Sequence, residues 1–304
     1  MVHDSLLCDS PSILKETIMA DKKDEHIIEA IGKCRVVVRD GKVVEVGKPI
    51  IADCPLAKRF AFPVPEITPE AIKANIEHRI RAFGMCTPAR EVLDTRAFVG
   101  FGASELISFG IQSGILDAAV VACDGAGTVV ATTPEMVQGI GGRMSGLVST
   151  SPHPSVIDRI EQNRGYVLDP INARIDQQSG VALAHLKGFR RIAVTVAIPA
   201  DAEAIRAAYP DSVIVAVHVS GLSRLESARL IGASDLVTSC ASKPIREIAG
   251  PLALVQAGIA IPVFAMTPAG KTLIIEKIRS SNEPVLIKPT KLPVTGDREP
   301  SPLV

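Results

Sequence analysis

The sequence carries no excess of charge of either sign. Lys and Arg together number 33, Asp and Glu also number 33, and the formal net charge at pH 7 is zero. Proteins that bind nucleic acids or anionic membranes attract these polyanions with a positive field, which this composition does not provide. We therefore expect neither a nucleic acid nor a membrane as a partner.

Long apolar runs are also missing. Charges, prolines or glycines interrupt each apolar stretch before it reaches the roughly 18 to 20 residues of a bilayer-spanning helix. The N-terminal residues lack the basic start and apolar run of a secretion signal, and Met19 opens "MADKKDEH", which is typical of a natural start. We expect a cytoplasmic protein whose six cysteines stay reduced and serve as ligands, reactive groups or core residues.

Several familiar motifs are absent as well. The cysteines include no Cys-x-x-Cys pair, so their spacing matches no ferredoxin, zinc-ribbon or thioredoxin pattern. No Gly-x-Ser-x-Gly sequence marks the nucleophile of a hydrolase. No period of about 20 to 50 residues indicates a solenoid or a propeller.

The sequence does contain enough apolar residues for a sizeable core, since 47% of its 304 residues are hydrophobic. In its second half, β-branched runs such as "RIAVTVAI" and "SVIVAVHV" alternate with helix-like segments such as "DAEAIRAAY", "SRLESARLIGA" and "KPIREIAGPLALVQAG". This alternation predicts a parallel sheet with right-handed crossovers. The predicted fold class is α/β: a mostly parallel sheet with Rossmann-like βαβ units in the C-terminal half, plus an N-terminal β-hairpin and helical segments.

The first half carries several boundary signals. Asp40 and Gly41 between two β-branched runs predict a tight hairpin. Thr68 and Pro69 predict the cap and first turn of a helix that ends at Gly84. "CTPARE" and "TTPEMVQ" predict two further helix starts, whereas "GIGGRMSG" predicts an irregular turn or loop.

Four segments follow from these patterns. Residues 1–24 form a predicted disordered extension, and residues 25–150 an N-terminal α/β part with the hairpin and the glycine-rich loop. Residues 151–288 form a C-terminal parallel α/β part, and the proline-rich residues 289–304 a loose tail. No flexible linker divides the two central parts, so residues 25–288 also fit a single domain.

Four cysteines lie in turns where their side chains could meet. Cys123 and Cys240 each follow a predicted buried strand, Cys86 precedes a predicted helix cap, and Cys54 precedes a proline in a loop. Backbone N–H groups at such places favour the thiolate, which is the form that binds metals. Free cysteine is also among the most buried residue types, so packing in the core is the competing interpretation for each one.

Further candidate residues surround these cysteines. Asp124, beside Cys123, could act as a base or a ligand, or could bond its own turn. His218 ends a predicted strand and could face the same crevice as Cys240. Glycines allow a backbone to approach an anion, although a bare flexible loop explains them equally well. The candidate cofactor-binding residues are Gly125, Gly127, Gly139, Gly141, Gly142, Arg143 and Lys243.

Five segments together resemble the archaeal family called methanogenesis marker protein 8. They are "DEHIIEAIGKCRVVVRDGKVVEVG", "ITPEAIKANIEHRIRAFGMCTP", "VVACDGAGTVVATTPEMVQGIGGRMSGLV", "RIDQQSGVALA" and "LVTSCASKPIREIAG", and they span approximately residues 25–280. The resemblance implies a pathway, methane-producing metabolism, rather than a reaction. Iron–sulfur enzymes are abundant in that metabolism, and several marker proteins are associated with maturation or activation of methyl-coenzyme M reductase.

The resemblance favours metal binding over packing for the turn cysteines. Our leading hypothesis is an accessory protein of methanogenesis that binds an iron–sulfur cluster or another thiophilic metal centre. It would assist maturation, activation or electron delivery for a methanogenic enzyme or maturation complex. The expected metal ligands are Cys54, Cys86, Cys123 and Cys240.

Two other classes of function remain open. One is a cysteine-dependent α/β enzyme that acts on a small anionic metabolite, with Cys123 as the nucleophile, Asp124 beside it and the loop from Gly139 to Gly146 as the anion site. The other is a non-catalytic partner protein, which would bind another protein without a metal or a ligand.

Overall fold

The computed structural model describes residues 24–143 and 146–304. The predicted N-terminal extension, residues 1–24, lies outside this part apart from Asp24, and so does the predicted start at Met19. Met144 and Ser145 of the predicted glycine loop also lie outside it. The described residues form two sheets and nine helices.

The strands and helices are numbered in chain order. The strands are β1 Glu25–Ala30, β2 Cys34–Arg39, β3 Lys42–Val46, β4 Ala118–Cys123, β5 Gly127–Ala131, β6 Gly146–Thr150, β7 Tyr166–Val167, β8 Ile192–Val196, β9 Val213–Ala216, β10 Leu236–Thr238, β11 Val255–Ala257 and β12 Val263–Ala265. The helices are α1 Pro69–Phe83, α2 Ala103–Gln112, α3 Pro134–Ile140, α4 Pro154–Gln162, α5 Gln177–Leu186, α6 Pro199–Ala208, α7 Arg224–Ala233, α8 Lys243–Leu252 and α9 Pro268–Ser280.

The larger sheet has eight strands in the order β11-β12-β10-β9-β8-β4-β5-β7. Strands β4, β8, β9 and β10 run parallel at its centre, and antiparallel strands flank them on both sides. The predicted α/β class with a mostly parallel sheet is therefore confirmed. Strand β12 runs antiparallel to β10, because the short connection at Gly258 joins β11 and β12 as a hairpin and leaves no room for a crossover helix.

Alternate side chains of this sheet enter two separate cores. In β4, Ala119, Val121 and Cys123 pack with helices α2, α3, α4 and α9, whereas Ala118 and Val120 pack with helices α5 to α8. Because both faces are covered, the strands are apolar along their whole length rather than at every second residue. None of the helices in the described residues is long and apolar enough to cross a membrane.

The smaller sheet has four antiparallel strands in the order β3-β2-β1-β6. The predicted hairpin is its β2–β3 edge, with Asp40 and Gly41 at φ 47° and 67° in the turn. One face of β1 and β2 packs against α1 through Ile28, Val36 and Ile72. Since β1 also pairs with β6, the two ends of the predicted N-terminal part meet in one sheet.

The helix signals around α1 and α3 are confirmed. Thr68 Oγ1 accepts the Ala71 N–H at 3.2 Å, and Gly84 ends α1 with φ 73°. Thr133 caps α3 in the same way by accepting the Met136 N–H.

Three local predictions are wrong. The segment "CTPARE" forms turns and no helix, because the Glu91 N–H returns to the Phe83 carbonyl and closes the end of α1. Residues 139–143 of "GIGGRMSG" are helical, forming the end of α3 and a 3-10 turn rather than a loop. The predicted helix "KPIREIAGPLALVQAG" stops at Leu252, after Pro251, and its remaining residues form β11.

The C-terminal tail is hydrogen-bonded to the body of the protein, although the sequence predicts a loose attachment. Ser301 forms a bridge with Asp53, the Val304 N–H donates to the Ala241 carbonyl at 2.8 Å, and the Val304 carbonyl accepts the Lys243 N–H at 3.0 Å. These bonds satisfy backbone groups at the start of α8 that would otherwise need water.

We expect Gly84→Ala to destabilise the fold and Gly232→Ala to leave it intact. A Cβ at Gly84 would lie 2.4 Å from the Ala89 carbonyl atoms, at a φ that side chains rarely adopt, so we expect a loss of about 1–3 kcal/mol. Gly232 lies within α7 with nothing within 4 Å of its added Cβ, so alanine should gain up to about 1 kcal/mol. Urea unfolding of both variants measures the difference; equal midpoints would contradict this account of the α1 end.

Candidate functional site

A cavity of about 570 Å³ opens at the carboxyl ends of β9 and β10. Its other walls are the turn between β1 and β2, the segment around Cys54, helix α1 and the start of α2. This volume is within the range of small-molecule sites. The carboxyl edge of a parallel sheet is also where α/β proteins bind their ligands.

Three residues of the cavity wall have a left-handed backbone although they are not glycine. Lys33, His218 and Cys240 have φ values of 56°, 56° and 45°. Such a conformation costs of order 1–3 kcal/mol per residue and is concentrated at functional sites, where the surrounding structure maintains it. His218 and Cys240 follow the adjacent parallel strands β9 and β10, so the predicted shared crevice is present.

The Cys240 thiol is partly accessible from the cavity. Burial raises its pKa, while the backbone amides of Val219 and His218 favour the thiolate. Arg246 Nη2 donates to the Cys240 carbonyl at 2.9 Å, which fixes the turn. At pH 7 the thiol is therefore protonated, but it lies beside amides and a guanidinium that would stabilise a negative sulfur.

His218 is exposed, and its exposed surface faces the cavity. Protein surrounds the ring at longer range, and this burial lowers its pKa, with Glu29 raising it and Lys33 lowering it further. The imidazole is consequently neutral at pH 7 and can accept a proton or bind a metal.

Basic and aromatic groups form the opposite wall. The Arg79 guanidinium lies 5.7 Å from the centre of the Phe60 ring. Burial and repulsion from Arg90 lower the pKa of Arg79 to about 10. Five cationic and three acidic side chains line the cavity. Three of the cations are ion-paired, Lys33 with Glu29, and Arg96 and Arg143 with Asp94. Arg59 and Arg79 contribute further positive charge, which favours an anionic ligand. The cations are Lys33, Arg59, Arg79, Arg96 and Arg143, and the acids are Glu29, Glu91 and Glu105.

A second polar centre lies buried at the end of β4. Arg90 Nε donates to Asp124 Oδ1 at 2.9 Å, and the Cys86 N–H donates to Asp124 Oδ2 at 2.6 Å. Both charged side chains are fully buried. Burial by itself would raise the pKa of Asp124, but the Arg90 guanidinium and the Cys86 amide outweigh it and hold that pKa below its ordinary value.

Metal-ligand groups converge elsewhere than the sequence predicts. In residues 24–143 and 146–304, the ligand atoms of Asp24, His26 and His153 all lie within 4.8 Å of one another, and no other group of three or more His, Cys, Asp or Glu does so. Within the described residues the predicted cysteine ligands do not form one cluster. Cys86 and Cys123 are buried in the core, whereas Cys54 and Cys240 line the cavity.

Comparison with known proteins identifies the family to which the chain belongs. Residues 26–279 match the model of a family described as uncharacterised proteins conserved in archaea (DUF2099). The chain belongs to this archaeal family. It is also 40% identical over 284 residues to an uncharacterised protein of Methanocaldococcus jannaschii, a match that covers 92% of this chain and 100% of the relative.

In this family member, the predicted nucleophile Cys123 is inaccessible. Its side chain is fully buried, and burial raises the pKa of its thiol to about 12. Cys86 is also buried, and burial with the nearby Asp124 carboxylate raises its pKa well above the ordinary value. Cys54 and Cys240 are partly exposed, which makes them the thiols that a ligand in the cavity can reach.

The candidate cofactor-binding residues have mostly structural surroundings. Gly125 and Gly127, with φ 83° and 72°, form the β4–β5 hairpin turn. Added Cβ atoms at Gly139 and Gly142 would meet the Val92 carbonyl at 2.3 Å and the Gln138 side chain at 2.7 Å, so these glycines allow close packing. Gly141 also lines the cavity, as Gly142 does, and its Cβ would meet only Ser104 at 3.8 Å.

The two predicted anion-binding cations already have acidic partners. Arg143 Nε donates to Asp94 Oδ2 at 2.7 Å, and Arg143 Nη1 lies 3.1 Å from Glu91 Oε2. Lys243 is exposed, and its Nζ lies 4.0 Å from Glu247 Oε1, outside the cavity lining. No sequence motif predicted a functional role for Arg79, Arg90, Asp24, His26 or His153. His26 could have been noticed because it shares the buried face of the strand "EHIIEA" with two apolar residues.

We expect Asp124→Asn to destabilise the fold strongly. The change keeps the side-chain size but leaves the buried Arg90 charge uncompensated, which costs about 3–5 kcal/mol at pH 7. Glu203→Gln disrupts an exposed carboxylate–Arg229 pair and should leave the urea midpoint nearly unchanged.

The pH dependence of this loss has a definite sign. The pKa of folded Asp124 lies below the ordinary aspartate value of about 3.9, so the wild-type pair is retained down to about pH 4. The difference in free energy of unfolding between the wild type and Asp124→Asn should therefore stay constant from pH 7 to about 5. It should become smaller only in stronger acid. A difference that vanishes by pH 5 would contradict the depressed pKa.

Proposed function

We propose that the protein is a cysteine-dependent enzyme acting on a small anionic metabolite, with Cys240 as the reacting thiol. One observation carries this proposal: Cys240 and His218 face the same cavity from the ends of adjacent parallel strands, both in a strained left-handed backbone. The structure maintains an unfavourable conformation at two reactive side chains, and packing alone gives no reason for it.

The charge of the cavity supports an anionic substrate. Arg59 and Arg79 lie on the wall formed by α1 and the 3-10 turn before it, and their aromatic neighbours Phe60 and Phe62 also line the cavity. His78 stacks on Phe62 with ring centres 5.0 Å apart. A planar or partly apolar molecule with a carboxylate or phosphate group fits such a wall.

The reacting groups would work together through the substrate. Burial holds the pKa of the Cys240 thiol above its ordinary value, so the thiol is protonated at pH 7. Attack on an electrophilic carbon therefore requires a base, and the neutral His218 imidazole on the same cavity can take the proton. The amides of Val219 and His218 would stabilise the charge that develops on sulfur.

The proposal extends to the pathway. The chain belongs to an archaeal family, and its segments resemble methanogenesis marker protein 8. We therefore propose that the metabolite belongs to methanogenic metabolism. The protein would act in the cytoplasm on that metabolite or on a precursor of a methanogenic cofactor.

A second candidate retains the role of metal accessory protein. The thiols of Cys54 and Cys240 both face the cavity, and a charge on Cys54 raises the pKa of Cys240. Two thiols that line one cavity could bind a thiophilic metal or a transferable iron–sulfur cluster, with the remaining ligands supplied by a methanogenic enzyme or maturation complex. The protein would then deliver the centre during maturation or activation of that enzyme.

We expect Cys54 and Cys240 to be alkylated by iodoacetamide in the native protein well before Cys34, Cys86 and Cys123. The first two face the cavity, whereas the other three are buried. Peptide mass spectrometry over a time course at pH 8 measures each rate. Cys240 modification should slow when a bound small carboxylate or phosphate metabolite fills the cavity, and Arg79→Gln should weaken that protection.

His218→Asn serves as the matched variant for acid–base catalysis, and Cys54→Ser as the control for the second thiol. Under the enzyme proposal, Cys54→Ser keeps the reaction of Cys240 with substrate, whereas His218→Asn slows it without changing urea stability greatly. Equal labelling of Cys123 and Cys240 would contradict the proposed nucleophile.

Anaerobic purification separates the two candidates. If the accessory hypothesis holds, iron and sulfide accompany the wild-type protein and are lost in Cys54→Ser and in Cys240→Ser. Cys123→Ser, which changes a buried core thiol, is the control and should keep the metal. A protein without iron or sulfide that still protects Cys240 with a metabolite would support the enzyme instead.

A further inference from the structure

Two histidines and an aspartate meet between the two sheets. His26 is the second residue of β1 and is fully buried. It lies on the same face of the strand as the core residues Ile28 and Ala30. His153 is the N-cap of α4 and is nearly buried, and its N–H donates to the Gly125 carbonyl at 2.8 Å. Asp24 directly precedes β1, and 23% of its side chain is exposed. These three residues take no part in the cavity described above.

The atoms that meet are all lone-pair donors. His26 Nε2 lies 2.8 Å from Asp24 Oδ1 and 3.1 Å from His153 Nε2, and His153 Nε2 lies 3.4 Å from the same aspartate oxygen. A carboxylate oxygen carries no hydrogen, and a neutral imidazole carries a hydrogen on only one of its nitrogens. A single proton can form a hydrogen bond between only two of these three atoms, whereas a metal cation placed among them attracts all three.

The hydrogen bond of the other ring nitrogen of His26, Nδ1, is compatible with metal binding through Nε2. His26 Nδ1 lies 2.6 Å from Thr150 Oγ1, the same oxygen that accepts the Gly125 N–H at 2.8 Å. If Nδ1 carries the hydrogen and donates it to Thr150, the Nε2 lone pair faces Asp24 and His153. Histidines that bind metals are oriented in this way by an acceptor on their other nitrogen.

The spacing matches a small first-row cation. Bonds of about 2.0–2.1 Å in a tetrahedral arrangement separate ligand atoms by about 3.3 Å. The three separations between ligand atoms here are 2.8, 3.1 and 3.4 Å. On binding the ion, two of these three pairs of atoms would move apart by a few tenths of an ångström. Ca²⁺ and Mg²⁺ prefer oxygen ligands, whereas two imidazoles and a carboxylate suit Zn²⁺ or Fe²⁺.

The surrounding charge also favours a cation. Asp24 and Asp124 both interact with His153, and Arg90 supplies the positive charge that balances Asp124. Among the described residues, the ion-pair contacts of Asp24 are with these two histidines, so a bound cation would supply the charge that the carboxylate attracts. The Cys86 thiol, one of the expected metal ligands, is close enough for its charge to interact with that of Asp24.

We propose that Asp24, His26 and His153 bind one divalent first-row transition metal ion such as Zn²⁺ or Fe²⁺, with Thr150 orienting His26. Three protein ligands leave at least one coordination position for water or another ligand, which is the pattern of a reactive rather than a purely structural metal. The ion would also join β1 of the smaller sheet to the β4–β5 turn of the larger one, through His153 and Gly125.

The test uses the full chain after removal of metal with a chelator. Titration with ZnCl₂ at pH 7.5, followed by calorimetry, should give one site per chain with a dissociation constant of about a micromolar or lower. Co²⁺ in the same site should give a visible absorption band that Zn²⁺ removes. Stoichiometric binding should also raise the urea midpoint of the wild-type protein.

The variants separate this site from accidental binding to surface histidines. Asp24→Asn, at the partly exposed position, and His153→Gln should each weaken binding by at least about a hundred-fold. His78→Gln, which changes a histidine outside the site, should leave binding unchanged. Thr150→Val should weaken binding by about 10- to 100-fold because it removes the acceptor for His26, and Thr150→Ser should restore it.

Two results would overturn the proposal. One is the absence of one-to-one binding by the wild-type chain at 100 μM metal, which requires no variant to fold. The other is binding that Asp24→Asn leaves intact or that His78→Gln weakens equally. Metabolite protection of Cys240, and any iron or sulfide bound at Cys54 and Cys240, would survive Asp24→Asn, so failure of this site and failure of the proposed function are distinguishable.

Discussion

The buried ion pair between Arg90 and Asp124 is the interaction on which the arrangement of the sheets depends. Asp124 lies in the turn after β4, and Arg90 lies in the segment after α1 that covers the smaller sheet. The guanidinium also donates to the Gly139 carbonyl at 3.1 Å and lies 5.0 Å from the Phe83 ring centre. One charged side chain thus connects β4, α3 and the end of α1. Removing either charge would leave the other without water or a counter-ion.

Burial, together with this pair, distinguishes the thiols that are available for chemistry. Burial is the main reason that the pKa values of Cys86 and Cys123 rise, and the nearby Asp124 carboxylate raises them further. Cys54 and Cys240 lie at the cavity, where water and a ligand can reach them. Residues that look equivalent as turn cysteines therefore have different chemical properties, because burial and neighbouring charge differ.

The structure holds two separate polar sites with different chemistry. The cavity presents a thiol, a neutral imidazole and an excess of cations, which suits an anionic molecule. The cluster of Asp24, His26 and His153 presents two imidazoles and a carboxylate, which suits a metal ion. Strand β1 carries His26 at one end, while Glu29 and Ala30 at its other end line the cavity. The smaller sheet is therefore the element common to both sites.

The sequence by itself determined the class of the fold and those elements that have strong local signals. The apolar runs of β8, β9 and β10, the Asp40-Gly41 turn and the Thr-Pro starts of α1 and α3 are local signals, since each depends on residues within one turn or strand. It also located reactive side chains at strand ends, as for Cys240. Only the tertiary structure decided which of these side chains meet. Asp24 and His153 are 129 positions apart in the numbering, and their proximity follows from the pairing of β1 with β6, which no local pattern encodes. The burial of Cys123 likewise follows from the helices packed over β4, so its loss of reactivity could not be read from its neighbours in the chain.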